Sequence, residues 1–171
     1  MKTINLRIFA TMLFCLSAYL GYAQHLTYGD IVRISKISRV SDVSEYVAQK
    51  GYVYAGTSQK DSIAYIYWTR NCSVNINNGD FEWTTGQVRS LFCIIITNQF
   101  IRYDYELPSR NAYKALTTSL TANGFKFLRE QISNGNITSI YKRNRSGKID
   151  YAETHEKSGG SFSSSFWFNY H

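Results

Sequence analysis

The sequence predicts an α+β fold: two tandem helix-plus-four-strand repeats forming an antiparallel sheet with helices on one face. Three observations lead there. Apolar stripes at helical spacing give way repeatedly to runs of period two. Strand-favouring aromatic and β-branched residues are abundant, with 14 Tyr, 10 Phe and 3 Trp against a single Pro. Residues 40–71 also match residues 113–144 at an offset of 73 positions without a gap.

The N-terminus reads as a targeting segment. Lys2 and Arg7 precede an uncharged, mostly apolar stretch from Ile8 to Leu20, and Gly21-Tyr22-Ala23 supplies small residues for cleavage. Residues 1–23 are expected to be a signal peptide, and 24–171 a single domain with repeat one at 27–107 and repeat two at 108–171. The apolar stretch is short of the roughly 20 residues that a membrane span requires. A secreted or periplasmic location follows, with no membrane span after cleavage.

Thr27 followed by Asp30 resembles a capping box, and Ile31, Ile34 and Ile37 form a helical stripe behind it. A break near Ser38-Arg39 separates this from a second stripe, Val40, Val43 and Val47, with Ser41 or Asp42 as the expected cap. Gly51 ends that helix, because glycine tolerates the left-handed conformation that closes one. Tyr52 and Tyr54 then share one face of a strand, assigned to the core. A second strand is expected over 62–70, with Ala64, Ile66 and Trp68 on the core side. Residues 73–87, rich in Asn, Gly and Thr, read as a long loop carrying Trp83. The apolar run 88–96 and the alternating FIRYDYEL of 100–107 complete the first repeat.

The second repeat follows the same plan. Ser109, after Pro108, caps a helix with the stripe Tyr113, Leu116 and Leu120, which ends at Gly124. Phe125 and Phe127 replace Tyr52 and Tyr54, Asn134-Gly135 makes a hairpin turn, and a strand over 136–143 carries Ile137 and Tyr141. Strands at 148–155 and 161–170, joined through Gly159-Gly160, close it. Phe162, Phe166, Phe168 and Tyr170 share the last strand's inner face.

Element order and the paired glycine-aromatic junctions, KGYVY at 50–54 and NGFKF at 123–127, resemble the β-lactamase inhibitor protein and related secreted domains with tandem helix-and-sheet repeats. The resemblance covers nearly the whole chain after residue 23. It implies a non-catalytic protein that presents a sheet face to another macromolecule.

Removing the leader leaves 17 basic against 12 acidic side chains, a net of +5 that suits acidic partners or anionic surfaces outside the cell. Export also argues against nucleic acid as the partner. Cys72 and Cys93 remain, an even pair that reads as a disulfide in an oxidising compartment. Such a bridge, closing about 20 residues, would contribute ~3 kcal/mol. The basic cluster Lys142, Arg143, Arg145 and Lys148 reads either as a docking patch or as a soluble hairpin tip.

No metal, phosphate-loop or nucleophile signature is present, and the three histidines, His25, His155 and His171, are scattered. No cofactor is implied. The SGGSFSSSF stretch reads as a turn and a strand with small outward residues. The aromatics left over after the core is assigned are Tyr65, Tyr67, Trp83 and Trp167, and these are the candidate binding residues. The expected function is recognition of a protein or envelope polymer through an open sheet face. A carrier holding a lipid or glycan is the alternative, and an enzyme of unknown type comes third.

Overall fold

The computed structural model describes residues 25–77, 80–85, 90–146 and 148–170. The expected signal peptide therefore lies outside the described residues. Among the described residues, no helix is long and apolar enough to cross a membrane.

Among the described residues, three helices, α1 (Tyr28–Ile34), α2 (Val40–Ala48) and α3 (Arg110–Ala122), accompany ten strands. The strands are β1 (Val53–Lys60), β2 (Ile63–Arg70), β3 (Ser73–Asn77), β4 (Asp80–Thr85), β5 (Ser90–Ile96), β6 (Ile101–Leu107), β7 (Lys126–Ser133), β8 (Asn136–Arg145), β9 (Lys148–Glu156) and β10 (Phe162–Tyr170). Eight form one sheet in the order β1-β2-β5-β6-β10-β9-β8-β7, antiparallel throughout, while β3 and β4 pair separately. The fold is thus α+β and sheet-dominated.

The helices start where their first residues can satisfy free backbone donors. Thr27 caps α1 in a complete capping box with Asp30, and Ser109 caps α3 by accepting from the Ala112 amide. The start of α2 differs from expectation. Its cap residue is Arg39, which makes no side-chain cap bond, and Asp42 instead pairs with the Arg39 guanidinium at 3.0 Å.

Apolar parity decides which sheet face the helices cover. Ile31, Ile34, Val43, Val47, Leu116 and Leu120 pack in one cluster with Trp68, Phe92, Tyr105, Phe125 and Phe166. Trp68, Phe92, Tyr105 and Phe166 are fully buried, and each large apolar side chain so placed contributes about 1.5–3 kcal/mol. Tyrosines in this layer need partners for their hydroxyls. Tyr52 finds them in Ser90 Oγ at 2.6 Å and Tyr105 Oη at 3.1 Å.

Matching geometry appears where α2 runs into β1 and where α3 runs into β7. Gly51 and Gly124 both have φ of +81°, and the two helices close with equivalent bonds: Tyr52 N–H to Val47 O in one and Phe125 N–H to Leu120 O in the other, each 3.1 Å. Tyr52 and Phe125 are each 2% exposed. Tyr54 then sits across from Trp68, and Phe127 across from Tyr141, with a bulge immediately after each.

The core assignment of Tyr54 needs correction. It lies against Trp68, with ring centres 6.1 Å apart, yet it is half exposed, as is Phe127. Both belong to β1 and β7, the outermost strands of the eight-stranded sheet. Residues 73–77 and 80–85, expected as loop, are strands. These strands, β3 and β4, pair through Val74 with Trp83 and Ile76 with Phe81. The first helix-and-sheet stretch therefore holds six strands, not four.

Candidate functional site

The sheet face opposite the helices is built from the other parity of each strand. Directly opposed residues of an antiparallel ladder share a face, so the registers can be followed from edge to edge. One row runs Lys126, Lys142, Tyr151, Trp167, Arg102, Ile95, Tyr65. A second row runs Ile140, Glu153, Ser165, Asp104, Cys93, Tyr67, and a third Thr138, His155, Ser163, Glu106, Leu91.

At the β2–β5 end this face is apolar. Tyr67, Leu91, Cys93 and Ile95 form a second buried cluster, capped by Val74 and Ile76 from β3. Gly56 makes room for that cap, since a Cβ there would lie 3.3 Å from Ile76 Cδ1, and its φ of +141° also suits glycine. Tyr67 is consequently 2% exposed, which corrects its expected place on an open surface. Tyr65 stacks on it, with rings 6.2 Å apart and nearly parallel, and stays half-buried.

Toward the centre the face turns polar. A recess of about 470 Å³ is bounded by Tyr65, Tyr67, Cys93, Arg102, Asp104 and His155. Arg102 Nη2 donates to Asp104 Oδ2 at 2.9 Å. Burial raises the Asp104 carboxyl above its ordinary range, and the Arg102 charge and the Ser165 hydroxyl oppose that rise. His155 is held below its ordinary value by burial, against the pull of Glu153 and Asp104. Its Nδ1 lies 3.1 Å from Thr138 Oγ1, and its Nε2 lies 3.7 Å from Glu153 Oε2.

A smaller recess of about 300 Å³ is lined by Phe100, Tyr151, Glu153 and Trp167. Two cations flank its rings. Lys142 Nζ lies 5.9 Å from the centre of Tyr151, and Arg102 Cζ lies 5.8 Å from that of Trp167. Trp83 stands on β4, and its side chain lies outside the described residues.

Of the four aromatics singled out by sequence, Tyr65 and Trp167 share one row and Tyr67 lies one row away under β3. Sequence reasoning passed over Phe100, Tyr151, Arg102, Glu153 and His155. The alternation of Tyr151, Glu153 and His155 with Ala152 and Thr154 was the available signal, but it needed the strand order to acquire meaning. The basic cluster divides between faces. Lys142 points to this one, while Arg143 is drawn to the helix side by Asp150.

The expected disulfide is absent, because Cys72 and Cys93 are not bonded to each other. Cys93 pairs in register with Tyr67 in mid-strand, whereas Cys72 follows the end of β2 and contacts Ser90 O at 3.8 Å. Ser90 is three ladder positions from Cys93, or ~10 Å along an extended strand. A bridge tolerates Cα atoms no more than about 7 Å apart. Burial pushes the Cys93 thiol up to about 12, so it stays protonated and is a poor nucleophile.

Among the described residues, no group of three or more His, Cys, Asp or Glu is placed to hold a metal ion. The helix–sheet interface is filled by large side chains. A hollow of about 450 Å³ lies instead near the start of α1, bordered by His25, Thr27, Lys50, Ala112 and Leu116. No family model matches the chain, and no curated protein or solved structure shows significant similarity to it.

Proposed function

We propose that this is an exported, non-catalytic binding protein that recognises another macromolecule through the sheet face opposite its helices. The carrying observation is the row from Lys126 to Tyr65, which crosses seven strands with half-buried aromatics and cations in line. At about 4.8 Å per strand that row spans roughly 29 Å, a breadth suited to a polymer or a protein surface. Partly exposed aromatics beside arginine are the side chains that most often anchor such contacts.

The two halves are read as tandem copies of one helix-and-strand unit, supported by the matching glycine joints and edge bulges at Gly51 and Gly124. On this reading β3 and β4 are an insertion in the first copy. They cover Tyr67 at one end of the face and leave the row from Lys126 to Tyr65 as the contact area.

The test is capture from an envelope extract by immobilised protein, comparing wild type with a Tyr65→Ala/Trp167→Ala variant. Lys114→Ala, on the exposed side of α3, is the control. Captured material should disappear with the double variant and persist with the control. Retention of everything by the double variant would remove this face as the binding surface.

A further inference from the structure

Resting on the reading of this face as a binding surface, we infer that its occupant is an acidic polysaccharide. One sugar ring would sit in the Phe100–Tyr151–Trp167 recess, with the chain running along the row from Lys126 to Tyr65.

Charge is the first argument. The row carries Lys126, Lys142 and Arg102 and no carboxylate, as read across the paired strands. Lys126 and Lys142 stand directly opposite each other on β7 and β8. Like charges so placed disfavour the sheet unless an anion lies between or above them. In the neighbouring row Asp104 pairs with Arg102 and offsets that charge, and Glu153 faces His155 and the recess. The excess positive charge of the row therefore rests on Lys126 and Lys142.

Shape is the second. Tyr151 and Trp167 are adjacent across β9 and β10, and with Phe100 they wall a recess of about 300 Å³. Flat ring faces match the C–H face of a pyranose. Glu153, an acceptor when ionised, matches hydroxyl donors on the ring edge. The flanking Lys142 and Arg102 are placed to meet carboxylate or sulfate groups on the same or the next residue.

A polyhydroxyl ring with an anionic substituent answers all three requirements. A nucleic acid is the competing polyanion with flat rings, and oligo-thymidylate stands for it among the probes below. Tyr65 lies three strands from Trp167, about 14 Å away, so an extended chain can reach both aromatics.

Isothermal titration of the full chain after leader removal tests this with four probes: polygalacturonate, dextran sulfate, neutral dextran and oligo-thymidylate. Either acidic polysaccharide should bind, with affinity falling as salt rises, and comparing the two identifies the preferred anion. Lys142→Glu and Trp167→Ala should each weaken binding at least tenfold, while Trp167→Phe retains most of it. Circular dichroism of each variant separates loss of the site from loss of the fold.

Three results would overturn the inference: binding of neutral dextran as tight as either acidic polymer, preference for oligo-thymidylate, or no binding of either acidic polymer. If a protein is captured through Tyr65 and Trp167 while both acidic polymers fail, the polysaccharide is wrong and the binding face stands. If no capture depends on those aromatics either, both readings fall.

Discussion

The guanidinium of Arg143 grips the carboxylate of Asp150 through two nitrogens, Nε at 3.1 Å and Nη2 at 2.5 Å, both on Oδ2. The same guanidinium donates from Nη1 to the Asn123 carbonyl at the end of α3 and lies 4.7 Å from the centre of the Phe125 ring. Asp150 is 1% exposed. Removing it strands a largely buried cation between helix and sheet. Asp150→Ala should therefore cost about 3–5 kcal/mol in urea unfolding. Adding Arg143→Met should recover part of that loss, and a double variant as unstable as the sum of both singles would sink the coupling.

Gly51 and Gly124 each close a helix in the left-handed region. A Cβ at either position would meet only ordinary contacts, the nearest being Arg70 Nε at 3.5 Å and Arg143 Cδ at 3.8 Å. The cost of alanine is then conformational, about 1–2 kcal/mol. Gly51→Ala and Gly124→Ala should destabilise by similar amounts in chemical denaturation. A large loss at one and none at the other would argue against equivalent joints.

Acid should weaken the fold partly through His155. Its native pKa lies below the ordinary 6.5 because burial disfavours the imidazolium. Below about pH 6.5 the unfolded chain therefore binds more protons there than the native one. This contribution to stability is complete above pH 6.5 and declines as the pH falls towards the native value. Asp104 acts in the opposite sense, since its raised pKa favours the native state as the pH falls towards 3.8. Replacing His155 with Gln should flatten the decline in Tm between pH 7 and 5. An unchanged slope would exclude His155 as a source.

The thiols should behave unequally. Cys72 is partly exposed and Cys93 is buried, with its thiol pushed up to about 12. An alkylating reagent at pH 8 should modify Cys72 in the native protein and Cys93 only after unfolding. Intact mass of the chain from residue 24 onward, without reductant, should show two added groups in denaturant. Two fewer hydrogens and no labelling would restore the disulfide.

Much of the helix-side architecture was legible in the residues. Thr27 with Asp30, Ser109 after Pro108, the two glycine joints and the alternation in 101–107 each carry a local signal, and each appears as read. What the pattern does not carry is depth within the sheet. Tyr54 and Phe127 have core parity, but their strands lie at the edges. Tyr67 has outward parity, but β3 folds over it. That hairpin went unrecognised because Asn, Gly and Thr dominate 73–87 and obscure the period-two spacing of Val74 and Ile76. The candidate site was the least legible part, since its row exists only once β6 lies beside β10. Arg102 and Trp167 are neighbours in that ladder although 65 positions apart in the chain.

β10 is the last of the described strands in chain order, yet it stands between β6 and β9 near the middle of the sheet. Among the described residues, the ladder that joins the two halves of the sheet runs through residues 162–170, and without them β6 and β9 each offer a bare edge. Clipping those residues would take out the keel of the sheet, where clipping β1 would only trim a margin.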